Sequence, residues 1–204
     1  MKIITISREF GSGGRELGKR LADELGFDYY DREIIEAVAK NKGIDSRYAE
    51  NALENRSWKT YPVSFGRSFA MQTMNNATSL LVEEKKIIEK IAGLGKDCVI
   101  VGRNADVLLK NYAPLNIFVC ADMQSKISRC EERTAEGENL SKKEMEQKIR
   151  RIDKIRKERR RIVSGDEWGD KSAYHLVVNT TDWRIKELTP AVADFAKRFF
   201  GRTK

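Results

Sequence analysis

Near its start the chain runs Ser7-Arg8-Glu9-Phe10-Gly11-Ser12-Gly13-Gly14-Arg15-Glu16. These residue types suit the binding of phosphate. Glycines let the backbone curl until several N–H groups point at one spot, and a helix starting there adds unpaired N–H groups and a positive dipole end. Ser7, Arg8, Gly11, Ser12, Gly13, Gly14, Arg15 and Glu16 are therefore the candidates for holding phosphates. The full pattern GxxxxGK[ST] is absent, because no lysine follows the glycines. Arg15 is adjacent and could swing in, and an arginine can grip phosphate bidentately where a lysine cannot. The change of one position turns a helical side chain by roughly 100°, so a solvated first-turn residue is the competing reading. Arg8 could replace the lysine if it points inward; otherwise it is a surface ion pair. Glu16 at a helix N-terminus is favourable by about 0.3–1 kcal/mol without ligand. Beside a triphosphate it repels unless Mg²⁺ lies between, and capping or a salt bridge is set against metal ligation.

A second set of candidates lies far along the chain. Arg103 follows Gly102 at the end of an apolar run, with Asn104 next to it. Asn104 can hydrogen-bond a sugar or a base edge but carries no charge. Between Lys142 and Arg161 there are eleven Lys or Arg in twenty residues, among them Arg150, Arg151, Arg156, Arg159 and Arg160. On a helix Asp153, Arg156 and Arg160 share one face, so Asp153 could orient Arg156 while Arg156 and Arg160 close on phosphates. The bland alternative is a solvated helix with internal ion pairs. His175, the single histidine, has no partner cluster and reads as structural. Trp168 and Tyr174 read as packing.

The elements that position these groups follow from periodicity. A buried strand is expected over about 2–7 and an amphipathic helix over 14–25, with Leu17, Leu21 and Leu25 apolar and Gly26 as the stop. Phe27 to Tyr30 could be extended, and Asp31 could cap a helix reaching Val38. Residues 43–78 are polar, hold scattered aromatics and keep no sustained period; they read as short helices and loops. A helix is expected over Ser79 to Ile91 and a buried strand over Cys98 to Val101. A short helix follows over Ala105 to Lys110, then a buried strand over Asn116 to Cys120 and a helix over 122–133. Ser141 with Glu144 forms a capping box for the long basic helix, whose apolar side is Met145, Ile149, Ile152 and Ile155. Leu176 to Val178 reads as a last buried strand and Asp182 to Phe200 as the closing helix. Apolar strands alternating with helices imply an α/β fold, a parallel sheet covered on both faces. Ligands in such sheets bind beyond the carboxyl ends of the strands, where both candidate sets fall.

With 204 residues, 40% hydrophobic and 34% charged, one domain with a sizeable core is expected. No apolar run is long enough to span a membrane and no secretory signal pattern is present, so a cytoplasmic location is the default. Cys98, Cys120 and Cys130 show no CxxC and read as reduced thiols. The net charge of +8 fits either a nucleic-acid binder or an enzyme with polyanionic small substrates. No RNA- or DNA-binding motif is visible.

Taken together these residues resemble the cytidylate kinase-like family, within the P-loop nucleoside monophosphate kinases. ITISREFGSGGRELGKRLADELGFDYYD lies over the cytidylate kinase N-terminus without a gap. VIVGRNADVLL resembles the family's strand and Gly-Arg pair, and IFVCADMQSKISRCEER the strand and helix after it. IRRIDKIRKERRRI resembles the arginine-rich lid, with its Asp-x-x-Arg spacing in Asp153 and Arg156, and LVVNTTD matches the last strand. Three positions depart from cytidylate kinases: Gly14 stands for the P-loop lysine, Glu16 for a threonine and Asn104 for an aspartate. The GSGGR form is that of the kinase-like subfamily.

The resemblance implies a three-layer P-loop fold in one domain. Its core would be 1–42, 79–136 and 172–204, with a helical acceptor-binding insert at about 43–78 and a lid at about 137–171. It implies transfer of phosphate from ATP, with Mg²⁺, to a nucleoside monophosphate, CMP or dCMP first. Asp31, Arg103 and Asn104 would bind the acceptor, and Arg15, Arg103, Asp153, Arg156 and Arg160 would serve catalysis. No metal is held by the protein itself, and a monomer with a small-molecule nucleotide substrate is expected. Another small phosphorylated or hydroxyl acceptor is an open alternative, as is a non-catalytic protein that binds nucleotide or nucleic acid.

Overall fold

The structure is a computed structural model that describes residues 1–31, 34, 36–37, 40–41, 67–133 and 140–202, with the backbone alone over 67–78. Five parallel strands form one sheet in the order β2-β3-β1-β4-β5. They are β1 (Ile3–Arg8), β2 (Asp28–Tyr30), β3 (Cys98–Val101), β4 (Leu115–Cys120) and β5 (Leu176–Asn179). β1 is central: Ile4 lies opposite Val99 of β3 and Leu115 of β4, and Arg8 opposite Val119. Every residue of β1 is buried, as a strand flanked on both edges and covered on both faces must be.

The period of two in β1 feeds two separate cores. Ile4 and Ile6 pack with Leu17, Leu21 and Ala22 of α1 (Gly14–Leu25) and with Val192, Ala193 and Ala196 of the closing helix. Ile3 and Ile100 pack on the other face with Leu80, Ile87 and Ile88 of α2 (Arg67–Gly93) and with Ala105 and Leu109. A small third cluster joins Ile127 of α4 (Met123–Arg133) to Met145 and Ile149 of α5 (Lys142–Ser164), with Phe10 packed against it. The short helix α3 (Ala105–Leu108) follows β3, and α6 (Ile185–Phe200) closes the chain. This is the expected three-layer α/β architecture. Gly18 permits its tightness, since a Cβ there would meet Val101 Cγ2 of β3 at 2.7 Å.

Most expected elements appear within a residue or two. Gly26 ends α1 in a left-handed cap, its N–H donating to Ala22 O. The Ser141–Glu144 capping box forms in both directions. Two expectations need correction. The helix expected from Ser79 is continuous from Arg67, so the unpatterned stretch is helical in its last part. The strand at Leu176 is an edge strand with Val177 and Asn179 exposed; its apolar run reflects β propensity, not burial on both faces. The helix expected after Asp31 and the stretch 43–66 lie mostly outside the described residues. Among the described residues no helix is long and apolar enough to cross a membrane.

Candidate active site

β1 ends at Arg8, and the chain turns through Gly11 (φ 77°) and Gly13 (φ 82°) into α1. Left-handed backbone is where glycine carries no penalty. These glycines also serve packing: a Cβ on Gly11 would meet Lys126 O of α4 at 2.9 Å, and one on Gly13 would overlap Ile185 of α6. Gly13 is the N-cap and supplies no side chain to the first-turn N–H groups of α1, which have no partner within the helix. Ser12 is wholly buried; its hydroxyl donates to Glu9 O (2.8 Å), and its carbonyl accepts from Thr180 Oγ1 (2.7 Å). The loop is thus fixed by its own side chains and by the strand–helix connection after β5.

Arg8 points inward. Its guanidinium packs on Gly102, where any Cβ would overlap it, and lies 3.7 Å from Asp31 Oδ1. Gly14 completes the arrangement, because a Cβ there would come within 2.5 Å of Arg8 Cβ. The space for a side chain at the lysine's position is therefore taken by Arg8. Arg15 pairs through Nε with Oδ2 of the same Asp31. Both candidate replacements for the lysine thus converge on one buried carboxylate. Ser7 is buried in β1. Glu16 is held by Arg20 (2.8 Å) and by Arg133 of α4, which favours the ion-pair reading of that residue. Among the described residues no group of three or more His, Cys, Asp or Glu could hold a metal.

At the end of β3 the chain passes Gly102 (φ 77°), Arg103 (φ 62°) and Asn104 (φ 51°) in succession. Left-handed backbone at non-glycine residues costs roughly 1–2 kcal/mol each, and such strain persists where surroundings over-determine it. Asn104 is the N-cap of α3, and its carbonyl accepts from Val107 and Leu108 N–H (3.0 Å each). Arg103 is buried with Nη1 3.7 Å from Glu84 Oε2 of α2, and Arg159 of α5 donates from Nη2 to Glu84 Oε1. One residue on, Arg160 donates from Nη1 to Asp106 Oδ2, both side chains 3% exposed, and its Nη2 lies 3.7 Å from Asp166. Buried ions need such partners.

The basic helix reaches the glycine loop through backbone groups. Phe10 N–H donates to Asp153 Oδ1 (2.7 Å), and Arg156 donates from Nη1 to Arg8 O (2.9 Å) with its guanidinium over the Phe10 ring. Asp153 also lies 3.6 Å from Arg156 Nη1 and 3.6 Å from buried Lys126 Nζ, which is 2.6 Å from Glu9 Oε2. Burial pushes the Asp153 carboxyl above its usual range, against the opposing pull of the Phe10 N–H, Arg156 and Lys126. Burial lowers the Arg129 guanidinium, with Arg133 adding repulsion; Arg129 donates to the carbonyls of Thr180 and Trp183. Trp168 and Tyr174 pack on Phe118 with centroids 5.3 and 5.0 Å away.

The structure therefore brings together Arg8, Arg15 and Asp31, with Gly102 linking them to Arg103. Asp153 and Arg156 hold the loop's backbone, and Arg160 is directed to Asp106. Residue patterning does not single out Glu9, Glu84, Asp106, Lys126 or Thr180. Glu84 carried a signal: it lies four residues from both Leu80 and Ile88, on a face otherwise apolar.

The sheet order and the glycine turn between β1 and α1 define the class, a P-loop kinase fold. Shikimate kinases share it: those from Acinetobacter baumannii and Bacteroides thetaiotaomicron superpose with TM-scores of 0.56 and 0.58. They are 13% and 12% identical, over 99% and 96% of this chain and 96% and 98% of theirs. An uncharacterized protein from Eubacterium ventriosum superposes with a TM-score of 0.70 at 23% identity, over 97% of this chain and 99% of that one. Within the class, the chain belongs to the cytidylate kinase-like family, whose sequence model matches residues 3–182. Cytidylate kinases from Pyrococcus horikoshii and Thermococcus kodakarensis are each 27% identical to it over 89% of this chain, and over 81% and 80% of theirs.

Proposed function

We propose that the protein is an ATP-dependent kinase that phosphorylates a nucleoside monophosphate, with CMP or dCMP as acceptor. The observation that carries this reading is the meeting of two groups at the carboxyl ends of β1 and β3. One is the uncapped start of α1 after a glycine turn, with buried Arg8 beside it; the other is buried Arg103, next to the Gly102 on which Arg8 packs. The first suits the phosphates of a nucleotide and the second the phosphate of an acceptor.

The backbone of Gly11 to Glu16 would hold the triphosphate, which supplies the transferred phosphoryl group. The protein presents no preformed carboxylate set for Mg²⁺ among the described residues. The ion would be bound largely through phosphates and waters. Phosphoryl transfer needs groups held in line and charge neutralised. Arg8, fixed by Asp31, supplies fixed positive charge on the side where the lysine is missing. Arg103 would take the acceptor's phosphate, with Asp31 and Asn104 near it. Arg15 is half exposed and could leave Asp31 for a phosphate. Asp153 and Arg156 hold α5 over the loop, which excludes water from the reacting groups. Arg160 acts through Asp106 and so positions α5.

The test is ATP- and Mg²⁺-dependent phosphorylation of a panel of nucleoside monophosphates, with an Arg103→Ala protein purified alongside to expose contaminating kinase. Product on CMP or dCMP that vanishes in the variant is the expected result. No product on any nucleotide refutes the reading. A second reading, a nucleotide-binding protein without transfer activity, is favoured by the filled lysine space beside Gly14 and then takes the lead.

A further inference from the structure

The geometry points to Thr180 as a positioning residue of the glycine loop. Its hydroxyl aims the Gly13 N–H at the phosphates by holding the carbonyl at the other end of the same peptide. The inference deepens the kinase reading and rests on its assignment of this loop to a triphosphate.

Thr180 lies one residue beyond β5 and is wholly buried. Its main chain is fixed at both ends. The N–H donates to Cys120 O (2.9 Å), which continues the β4–β5 ladder, and the carbonyl accepts from Trp183 N–H (3.2 Å) and from Arg129 Nη2. The same Nη2 donates to Trp183 O (3.0 Å), so α4 clamps the turn that leads into α6. The hydroxyl is therefore a fixed point, and the loop must conform to it. A hydroxyl carries one proton. Ser12 O lies 2.7 Å from Thr180 Oγ1 and Cys120 O 3.2 Å. Cys120 O already accepts the Thr180 N–H, so the hydroxyl proton goes to Ser12 O. The described residues contain no cis peptide bond, and a planar trans peptide points its C=O and N–H in opposite directions. With Ser12 O turned to Thr180, Gly13 N–H points to the other side of the loop, where no acceptor meets it among the described residues. Ile185, from the same strand–helix connection, fills the place that a Cβ on Gly13 would take. Without the Thr180 hydroxyl, Ser12 O is a buried acceptor that has lost its donor, which is costly. The peptide then turns to find another donor and carries the Gly13 N–H off the phosphates.

Two variants and one measurement on the wild type separate this from a structural role. Thr180→Val removes the hydroxyl and keeps the branched shape; Thr180→Ser keeps the hydroxyl and loses a methyl group. Dissociation constants for inorganic triphosphate and, separately, for CMP are measured by titration calorimetry. Thr180→Val should bind triphosphate roughly ten- to a hundredfold more weakly, as expected for losing one hydrogen bond to a charged group, with CMP binding within about twofold of the wild type. Thr180→Ser should restore triphosphate binding, although either variant can melt below the wild type. Triphosphate binding unchanged in Thr180→Val, an equal loss for both probes, or no rescue by serine overturns the inference. Should Thr180→Val fail to fold, the wild type decides. Its Gly13 amide proton should move downfield in the NMR spectrum when triphosphate is added, and an unmoved Gly13 amide refutes the assignment. The two readings fail separately. If the wild type binds triphosphate but phosphorylates no acceptor, the kinase reading falls and the same titrations still decide the role of Thr180. If the wild type phosphorylates CMP while Thr180→Val binds triphosphate as well as it does, Thr180 alone is misassigned.

Discussion

Adding one methyl group at Gly14 tests the claim that Arg8 has replaced the loop lysine. The Cβ of Gly14→Ala would lie 2.5 Å from Arg8 Cβ, 3.0 Å from Arg8 Cγ and 3.3 Å from Val119 Cβ. Arg8 Cβ is tied to the central strand and cannot swing away, unlike the tip of a long side chain. Overpacking of this sort costs about 1–3 kcal/mol, while exchanging glycine for alanine inside a helix returns about 0.5–1 kcal/mol. Gly14→Ala should therefore lose roughly 1–2 kcal/mol, a fall in Tm of about 2–8 °C for a chain of this size. In an Arg8→Gly background the clashing atoms are gone and the same substitution should be neutral or stabilising. Arg8→Gly lowers stability by itself, but the double-mutant cycle cancels that loss. A coupling of about 1–3 kcal/mol is expected from urea denaturation of the four proteins. Additivity within about 0.5 kcal/mol would refute the reasoning. The same geometry predicts that Gly14→Lys alone does not tighten ATP binding, because the restored lysine has no room while Arg8 is in place.

Four further outcomes follow from the charges. Burial raises the Asp153 carboxyl above its unfolded value, so the unfolded chain releases that proton first. The contribution is present below the unfolded pKa and lost as pH rises through the folded one. Asp153→Asn should therefore gain stability relative to the wild type as pH climbs from about 4; an identical pH slope in both proteins would exclude the effect. Burial and the nearby Arg202 lower His175, whose Nδ1 accepts from Asn116 N–H (3.0 Å). That contribution is present above the unfolded pKa and lost as pH falls, so His175→Asn should flatten the decline in Tm between about pH 7 and 5. Arg160→Met leaves Asp106 buried without its nearest cation and should cost about 3–5 kcal/mol, whereas Arg160→Met with Asp106→Leu should recover most of it; equal losses in urea would contradict the pairing. Cys98 is pushed up to about 11 by burial, with Asp28 and Asp97 adding to it. It should resist alkylation at pH 8 in the native protein and react on unfolding, as read by mass spectrometry.

What was legible in the residues was the scaffold. Period-two strands, period-3.6 helices, the Gly26 stop and the Ser141 capping box are local signals, and local structure obeyed them. β5 departed because Leu176 to Val178 has the same composition whether covered on two sides or one, and composition cannot report which strand ends at an edge. The site was half legible for a related reason. Glycine spacing identifies a turn, but where Arg8 points depends on Gly14 and Gly102, the second of these more than ninety residues away in the chain. Gly14 read alone is a lost lysine. Read with Arg8, it is the small residue that an inward arginine requires, since the two Cβ atoms could not coexist. Likewise Asp153 and Arg156 carry a recognisable spacing, yet their partners are Phe10 N–H and Arg8 O, backbone groups that no side-chain pattern can announce. Glu84 and Asp106 complete the argument. Each is a carboxylate on a buried helix face, and each is explained by an arginine of α5, Arg159 or Arg160. The bland alternative of a solvated charge run does not hold at Arg159 and Arg160, which are buried and answer carboxylates at the carboxyl end of the sheet.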